Sequence, residues 1–405
     1  METNTVFALT LLVLGYAVVS GLVKRWYVAP ALIFVVLGMA LGPFGLGAID
    51  VGTQASNFTL AAELALTVIL FNQASTLDLE AVVRRRDVTF RLLVIGIPLS
   101  LALGTGVAVL LMPELPLWEA ICLAAIVAPA EVALIVALLD DHRIPERFRH
   151  ALSTESGFYD GFALTAMLAA LAVASNRHER HPGVSALVWF LFRTEVMSLF
   201  VGLAIGAIGG VVIARSRDRG WMSDTWAQLS TLAVALVCFQ IGERLDGSGL
   251  VTAFAGGLAF AFAGKRAGGR PDTQFSDAAG QLLELAVFAM FGAYAVIAGW
   301  RDAHWQVVVF AVVAVFGVRL VAVSVALIRS GMSASNRLFI GWFGPRGLGT
   351  MVLGLLLIEE GETHLESGIT EVVAVTVTLS LVVHSLTVWP GIKLLAVRER
   401  TVASE

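Results

Sequence analysis

The sequence predicts an all-α protein that crosses a membrane many times. Of its 405 residues, 58% are hydrophobic and only 14% are charged, and the mean hydropathy is +0.84, far above that of ordinary globular domains. Apolar runs of roughly 17 to 25 residues, the length that spans the hydrocarbon core of a bilayer, recur along the whole chain. These runs leave no room for a sizeable soluble domain, so we predict one transmembrane domain over residues 1–405.

Thirteen apolar runs are predicted to form the membrane-spanning helices, called spans 1 to 13 in chain order. In that order they cover about residues 6–22, 28–46, 59–78, 88–112, 117–139, 153–174, 185–213, 224–242, 249–264, 277–299, 304–328, 335–358 and 369–392. The first run lacks a basic leader and an obvious small-residue cleavage site, which favours a retained helix over a signal peptide. Cys122 and Cys238 both lie in apolar segments, which argues against disulfides and against a thiolate metal site.

The basic residues are distributed unequally between the two sides that alternating spans define. One side carries 20 of the 27 Lys and Arg residues. The other seven are Arg177, Arg180, Arg244 and Arg301 on the opposite side and Arg193, Arg319 and Arg346 within spans. Because cytoplasmic loops carry the excess of positive charge, we predict the N-terminus outside and the C-terminus in the cytoplasm.

An odd number of spans gives the first six and the last six opposite orientations in the membrane. Such inverted repeats, with binding sites on interrupted helices near the midplane, recur in secondary transporters. The fifth span of each set has a proline beside a charge: Pro129 stands before Ala130 and Glu131, and Pro345 stands before Arg346. Proline removes a backbone donor and disfavours helix at the residue before it, so spans 5 and 12 are predicted to be interrupted. Two ordinary proline kinks remain the alternative.

Span 6 places two carboxylates inside an apolar segment. A carboxylate within a bilayer is costly unless it faces a cavity, a partner or an ion, so Glu155 and Asp160 are candidate functional residues. Ser156 and Asp160 share one helix face, whereas Glu155 and Tyr159 share another, and Glu155 lies about 140° round the helix from Asp160. Carboxylates, a hydroxyl and the carbonyls freed at the breaks are ligands for small hard cations. The absence of clustered His and Cys argues against a transition metal, and we expect no cofactor.

Two arginines within spans are candidate partners for buried negative charge. Arg319 lies in an apolar run of span 11, and a guanidinium stays charged even there, so we expect it to form a structural pair with Glu155. Direct ligation of the ion by Glu155 remains the alternative. We expect Arg346 to neutralise helix-end carbonyls or a nearby carboxylate.

These motifs together resemble the monovalent cation:proton antiporter superfamily, in its Na⁺/H⁺ exchanger branch, over nearly the full chain. The matching segments are Leu70-Phe71, Ala128-Pro129-Ala130-Glu131, Glu155-Ser156, Asp160-Gly161, Arg319 and Gly344-Pro345-Arg346-Gly347. The resemblance implies that Asp160 is the shared cation and proton site and that Glu155 pairs with Arg319. It also implies that Ser156, the backbone of Ala130, and Glu131 help to coordinate the ion.

The resemblance further implies a homodimer in which a core moves against a dimerisation scaffold. The core is expected at about residues 88–174 and 304–392 and the scaffold at about 6–78 and 185–264, with a linking helix at about 277–299. The expected location is the plasma (inner) membrane, with a monovalent cation, protons and lipid as partners and no nucleic acid.

Two departures from the family pattern affect the ion site. The chain reads Ala130-Glu131-Val132 where the branch usually reads Thr-Asp-Pro, so a side-chain oxygen is lost and the carboxylate extends one methylene further. It reads Tyr159 where the branch usually has Asn, which adds bulk without charge. The preferred ion therefore stays open.

The predicted function is electroneutral exchange of one Na⁺, or Li⁺ or K⁺, for one proton, because Asp160 is the carboxylate expected to stay unpaired. The alternative is a transport-inactive sensor or assembly subunit that keeps the fold. An intramembrane hydrolase is disfavoured because Ser156 has no neighbouring His and no His-Glu metal motif occurs.

Overall fold

The computed structural model describes residues 3–49, 55–77, 88–178, 196–269, 272–359 and 366–404. All regular secondary structure in this part of the chain is helical, with no strand, which confirms the all-α prediction there. The first part of span 7, residues 185–195, lies outside the described residues, as do Arg180 and Arg193.

The longer helices of the described residues are labelled α1 to α14 in chain order. They are α1 (Thr3–Arg25), α2 (Pro30–Leu41), α3 (Ala55–Thr76), α4 (Val88–Leu111), α5 (Leu117–Val127), α6 (Glu146–His178), α7 (Ser198–Asp218), α8 (Asp224–Arg244), α9 (Gly249–Arg266), α10 (Gln274–Asp302), α11 (Trp305–Ala326), α12 (Ala334–Trp342), α13 (Leu348–Glu359) and α14 (Glu366–Ser404). Within the described residues, eight are long and apolar enough to cross a membrane, namely α1, α3, α4, α7, α8, α10, α11 and α14. Three shorter helices, α2, α5 and α13, are also apolar.

Local sequence signals set where several helices begin. Pro30 occupies the first turn of α2, where its missing N–H would have had no partner in the helix. The hydroxyl of Ser248 caps α9 by accepting a hydrogen bond from the backbone N–H of Val251. Ser333 caps α12 in the same way through Asn336.

Two helices differ from their predicted bounds for reasons visible in the sequence. Helix α6 starts at Glu146, about two turns before the predicted span, directly after Pro145, whose carbonyl accepts from the backbone N–H of Phe148. Helix α2 ends at Leu41, several residues early, because Gly42 and Pro43 follow it.

The chain divides into two units by internal contacts. Unit 1 comprises Met1–Thr59, Glu80–Met167 and Leu285–Glu405, and unit 2 comprises Leu60–Leu79 and Leu168–Glu284. All of the ion-site residues predicted from sequence therefore belong to unit 1.

Unit 1 has an apolar cluster beside the start of α6. Phe148 of α6 packs there with Ile340 of α12, Phe343 just after α12, and Ile392 of α14, all of them buried. This packing holds α6, α12 and α14 against one another near the predicted breaks.

Unit 2 contains a close helix pair made by α7 and α9. Gly206 of α7 lies against the backbone of Gly256 on α9 so tightly that a Cβ on Gly206 would overlap the Gly256 carbonyl. Small residues let transmembrane helices approach closely, and van der Waals packing then holds the pair.

Candidate ion-binding site

The helical path is interrupted after α5. Helix α5 ends at Val127, residues 128–131 are not helical, and a 3₁₀ turn begins at Val132. Pro129 has no N–H to continue the helical hydrogen bonds, so α5 does not extend past its cap residue Ala128, which keeps helical dihedrals. We call residues 128–131 the first break.

A second interruption separates α12 from α13. Helix α12 ends at Trp342, residues 343–347 are not helical, and α13 begins at Leu348. Pro345 lies at the centre of this segment, which we call the second break.

The two breaks bond to each other. The backbone N–H of Glu131 donates to the carbonyl of Pro345 over 2.7 Å. The Arg346 guanidinium donates from Nη1 to the carbonyls of Pro129, at 3.2 Å, and Gly344, at 2.9 Å. Backbone groups freed in a membrane interior need partners within the protein, and these contacts supply them.

Glu155 and Arg319 form a fully buried, two-pronged ion pair. Arg319 Nη1 lies 2.7 Å from Glu155 Oε1 and Nη2 lies 2.9 Å from Oε2, and each residue is 1% exposed. A π-helical turn at Val313–Val318 immediately precedes Arg319 in α11. Gly344 completes the site, because a Cβ at that position would overlap the Arg319 guanidinium. Bidentate geometry of this kind fixes both side chains.

Asp160 is buried in a different way. It is 5% exposed, and within the described residues its carboxylate has neither a hydrogen-bond nor an ion-pair partner. Its Oδ1 lies 2.5 Å from where a Cβ on Gly349 would stand, so only a glycine leaves room for it. Gly349 is in the first turn of α13, whose unpaired N–H groups favour negative charge.

The other predicted ion ligands surround the same break. Ser156 donates its hydroxyl to the carbonyl of Ala130 over 2.5 Å. Glu131 is 3% exposed, packs beside Gly347, and is close enough to Asp160 for the two carboxylates to interact electrostatically.

Tyr159 fills space beside the first break. It is fully buried and packs in an apolar cluster with Ile97 and Ala128. The substitution of a bulky ring at this position is thus accommodated by apolar neighbours on α4 and in the first break.

Ion pairs at the surface hold the loop that leads into α6. Lys24 Nζ lies 3.0 Å from Asp140 Oδ2, and Arg143 Nη2 lies 2.6 Å from Asp141 Oδ2. The hydrogen bond from Arg143 lowers the pKa of Asp141 below its ordinary value. Asp141 therefore stays charged at neutral pH and is a poor candidate for a transported proton.

Sequence reasoning gave no specific role to two residues of α14 that contact the second break. Ser380 Oγ accepts from the backbone N–H of Arg346, and His384 Nε2 lies 2.9 Å from the carbonyl of Trp342. The spacing of four residues between two polar side chains in an apolar span is the signal that could have identified them.

The family model described as the transmembrane region of the sodium/hydrogen exchanger matches residues 8–393. The chain belongs to this family. The resemblance seen in the sequence motifs is thereby confirmed.

Curated relatives of this exchanger-family chain are named as antiporters. It is 24% identical over 380 residues to a probable Na⁺/H⁺ antiporter of Schizosaccharomyces pombe, covering 87% of this chain and 50% of the relative. It is 25% identical over 365 residues to the K⁺/H⁺ antiporter NhaP of Alkalimonas amylolytica, covering 86% of this chain and 60% of the relative. The chain thus spans between 50% and 60% of the length of these two proteins.

The fold is similar to that of a solved exchanger. The sodium proton antiporter MjNhaP1 from Methanocaldococcus jannaschii superposes with a TM-score of 0.79 and 19% sequence identity, covering 97% of each chain. This likeness shows that the chain has the same fold.

Proposed function

We propose that this protein exchanges one monovalent cation for one proton across a membrane, with Asp160 as the site that both ions share. The observation that carries the proposal is the contrast between two buried carboxylates of α6. Glu155 is held by Arg319 on both oxygens, whereas Asp160 has no such partner among the described residues. A buried carboxylate without a partner is costly when charged, and a bound Na⁺ or a bound proton removes that cost.

The charges at the two breaks support a ratio of one to one. Among the described residues there, three carboxylates, Asp160, Glu155 and Glu131, face two guanidinium groups, Arg319 and Arg346. One negative charge is left over when all five are ionised. A single monovalent cation or a single proton balances it, so the loaded site carries the same charge in both halves of the cycle.

Ser156, the Ala130 carbonyl and Glu131 are proposed to complete the oxygen ligands of the cation. They surround the first break, and hard cations prefer such ligands. The named activities of the relatives include both Na⁺/H⁺ and K⁺/H⁺ antiport, so Na⁺, K⁺ and Li⁺ are all candidate substrates.

The proposed transmembrane arrangement has thirteen spans in inverted repeats. It counts α5 with the short helices after it as one span, and α12 with α13 as another, so that each break lies inside a span. With the N-terminus outside, 20 of 27 basic residues face the cytoplasm. The plasma membrane, a homodimer, and a core that moves against a scaffold to give alternating access complete the proposal.

Cation and proton compete for Asp160 in this mechanism. Protonation removes the negative charge that binds the cation, so the half-saturating Na⁺ concentration rises as the pH falls. At the other extreme of pH, proton delivery becomes limiting.

The test is cation-driven proton movement in everted vesicles and proteoliposomes. Asp160→Asn abolishes the pH change driven by Na⁺, Li⁺ or K⁺, because the amide carries neither the proton nor the charge. Asp302→Asn, a change of the same kind at an exposed residue paired with Arg301, leaves exchange intact. Normal exchange in Asp160→Asn would refute the assignment.

The stoichiometry has its own measurement. For one-to-one exchange, flux stops when the Na⁺ gradient equals the proton gradient, whatever the membrane potential. A null point that shifts with potential would exclude electroneutral exchange. A wild-type protein that moves none of the three cations at any pH would instead favour the transport-inactive sensor.

A further inference from the structure

One face of α14 carries polar side chains where it passes the second break. Ser380, His384 and Thr387 are spaced by four and three residues and so lie on the same side of the helix. Ser380 and His384 are 0% and 1% exposed. Burying a polar side chain costs free energy unless the side chain has a hydrogen-bond partner.

Ser380 holds the residue just after the centre of the second break. Its Oγ accepts a hydrogen bond of 2.7 Å from the backbone N–H of Arg346. That N–H has no helical partner because the chain is not helical at residues 343–347.

His384 holds the residue just before the second break. Its Nε2 lies 2.9 Å from the carbonyl of Trp342, the last residue of α12. A carbonyl oxygen only accepts, so this contact is a hydrogen bond in the ring forms that carry a proton on Nε2, namely the neutral Nε2 tautomer and the charged ring.

The other ring nitrogen of His384 connects the two contacts. Nδ1 lies 3.1 Å from Ser380 Oγ and 2.8 Å from the Ser380 carbonyl. In the neutral tautomer with its proton on Nε2, the Arg346 N–H donates to Ser380 Oγ, the Ser380 hydroxyl donates to Nδ1, and Nε2–H donates to Trp342. This chain of hydrogen bonds runs through α14 from one side of the second break to the other. In the charged ring, Nδ1 instead donates to the Ser380 carbonyl.

A third side chain of the same face secures Trp342. Its indole Nε1 donates to Thr387 Oγ1 over 3.0 Å. Trp342 is thus held at its carbonyl by His384 and at its indole ring by Thr387.

We infer that Ser380 and His384 are positioning residues that fix the geometry of the cation site through the second break, an inference that rests on the proposed function. Neither residue contacts Asp160 among the bonds described. Ser380 fixes the backbone of Arg346, whose guanidinium reaches the Pro129 carbonyl in the first break. The first turn of α13, which faces the Asp160 carboxylate, starts two residues after Arg346.

We call the hydrogen bonds that Ser380 and His384 make at the second break the clamp. Removing either of them lowers the affinity of the site for the cation. Ser380→Ala leaves a buried N–H without an acceptor, and His384→Ala leaves the Trp342 carbonyl without a donor. In each variant the second break relaxes until the freed group finds another partner, and cation binding must reverse that relaxation. An unsatisfied buried group corresponds to about a tenfold change in an equilibrium constant, so each variant raises the half-saturating Na⁺ about tenfold. The maximal exchange rate per folded protein changes much less.

Rescue and a matched control separate positioning from general damage. His384→Gln keeps an amide donor directed at Trp342 and brings the half-saturating Na⁺ back toward the wild-type value. Ser385→Ala removes a neighbouring buried hydroxyl of α14 that has no partner within the described residues, and leaves the Na⁺ dependence unchanged.

Two measurements on purified, folded protein decide the outcome. One is the Na⁺ dependence of exchange in proteoliposomes, and the other is the Na⁺ concentration that half-maximally protects the protein from thermal unfolding, which needs no transport. The clamp is overturned if the half-saturating Na⁺ is unchanged in Ser380→Ala and His384→Ala. It is also overturned if a folded His384→Gln is as impaired as His384→Ala. In both cases the proposed function still stands as long as the wild type exchanges the cation for protons. A wild type that binds Na⁺ without exchanging it overturns the proposed function, and the protection measurement still tests the clamp. A wild type that neither binds nor moves a cation overturns both.

Discussion

Removing one partner of the Glu155–Arg319 pair should destabilise the protein far more than removing both. Both residues are 1% exposed, and two bonds of 2.7 Å and 2.9 Å join them. Glu155→Leu leaves a guanidinium buried without its counter-charge, and Arg319→Met leaves a carboxylate in the same position. Replacing both with apolar side chains removes the buried charges altogether.

The structure sets the expected magnitude. Breaking a buried pair costs about 3 to 5 kcal/mol, which is roughly 150-fold to roughly 4,000-fold in the ratio of folded to unfolded protein. Replacing the whole pair with apolar side chains of similar volume is close to neutral in other proteins. We therefore expect a large favourable coupling energy between the two single changes.

The assay is the free energy of unfolding, measured by titration with a denaturing detergent in mixed micelles for the wild type, both single variants and the double variant. A Glu155→Leu variant as stable as the wild type would refute the structural role of the pair. So would a double variant whose loss equals the sum of the single losses.

The same double variant decides whether Glu155 also binds the cation. If the pair is purely structural, Na⁺ protects a folded double variant from thermal unfolding at nearly the same concentration as it protects the wild type. Loss of that protection in a folded protein would show that Glu155 is itself a ligand, the alternative left open by the sequence.

Two further predictions concern space and exposed charge. Gly349→Ala would place a Cβ 2.5 Å from Asp160 Oδ1 and should raise the half-saturating Na⁺ in proteoliposome exchange, whereas Gly106→Ala, which meets no atom within 4 Å, should not. Equal effects of the two changes would contradict the close packing at the site. Lys24→Ala removes an ion pair with Asp140 whose side chains are 69% and 54% exposed, so the free energy of unfolding should fall by less than about 1 kcal/mol. A larger loss in the same micelle titration would mean that this surface pair is not screened by solvent.

Helix content and the candidate residues of α6 could be inferred from sequence because they depend on local pattern. Apolar runs long enough to span lipid predict helices, since an unpaired backbone is costly there. Prolines mark where α5 ends and where the chain leaves α12, because the missing N–H acts on the residues next to it. The helical period places Asp160 and Glu155 on different faces without any knowledge of neighbouring helices.

The contacts around the second break could not be inferred in the same way. Ser380 lies 34 residues after Arg346 in sequence, and His384 lies 42 residues after Trp342. Polar residues in the last span have many possible partners, so their spacing identifies a face but not what the face touches. The room that Gly349 leaves for Asp160 is likewise invisible until α13 and α6 are packed together.

The sequence by itself determined that this chain is helical and membrane-spanning, which family it belongs to, and which carboxylates are candidates for its ion site, because hydrophobic length and short motifs are properties of neighbouring residues. Only the tertiary structure decided that Glu155 forms an ion pair with Arg319 and that Asp160 has no such partner among the described residues. Arg346 reaches the Pro129 carbonyl across 217 residues of chain, and Arg319 reaches Glu155 across 164. Such contacts depend on how the helices pack, because electrostatic and hydrogen-bond partners are chosen by distance in space and not by distance along the chain.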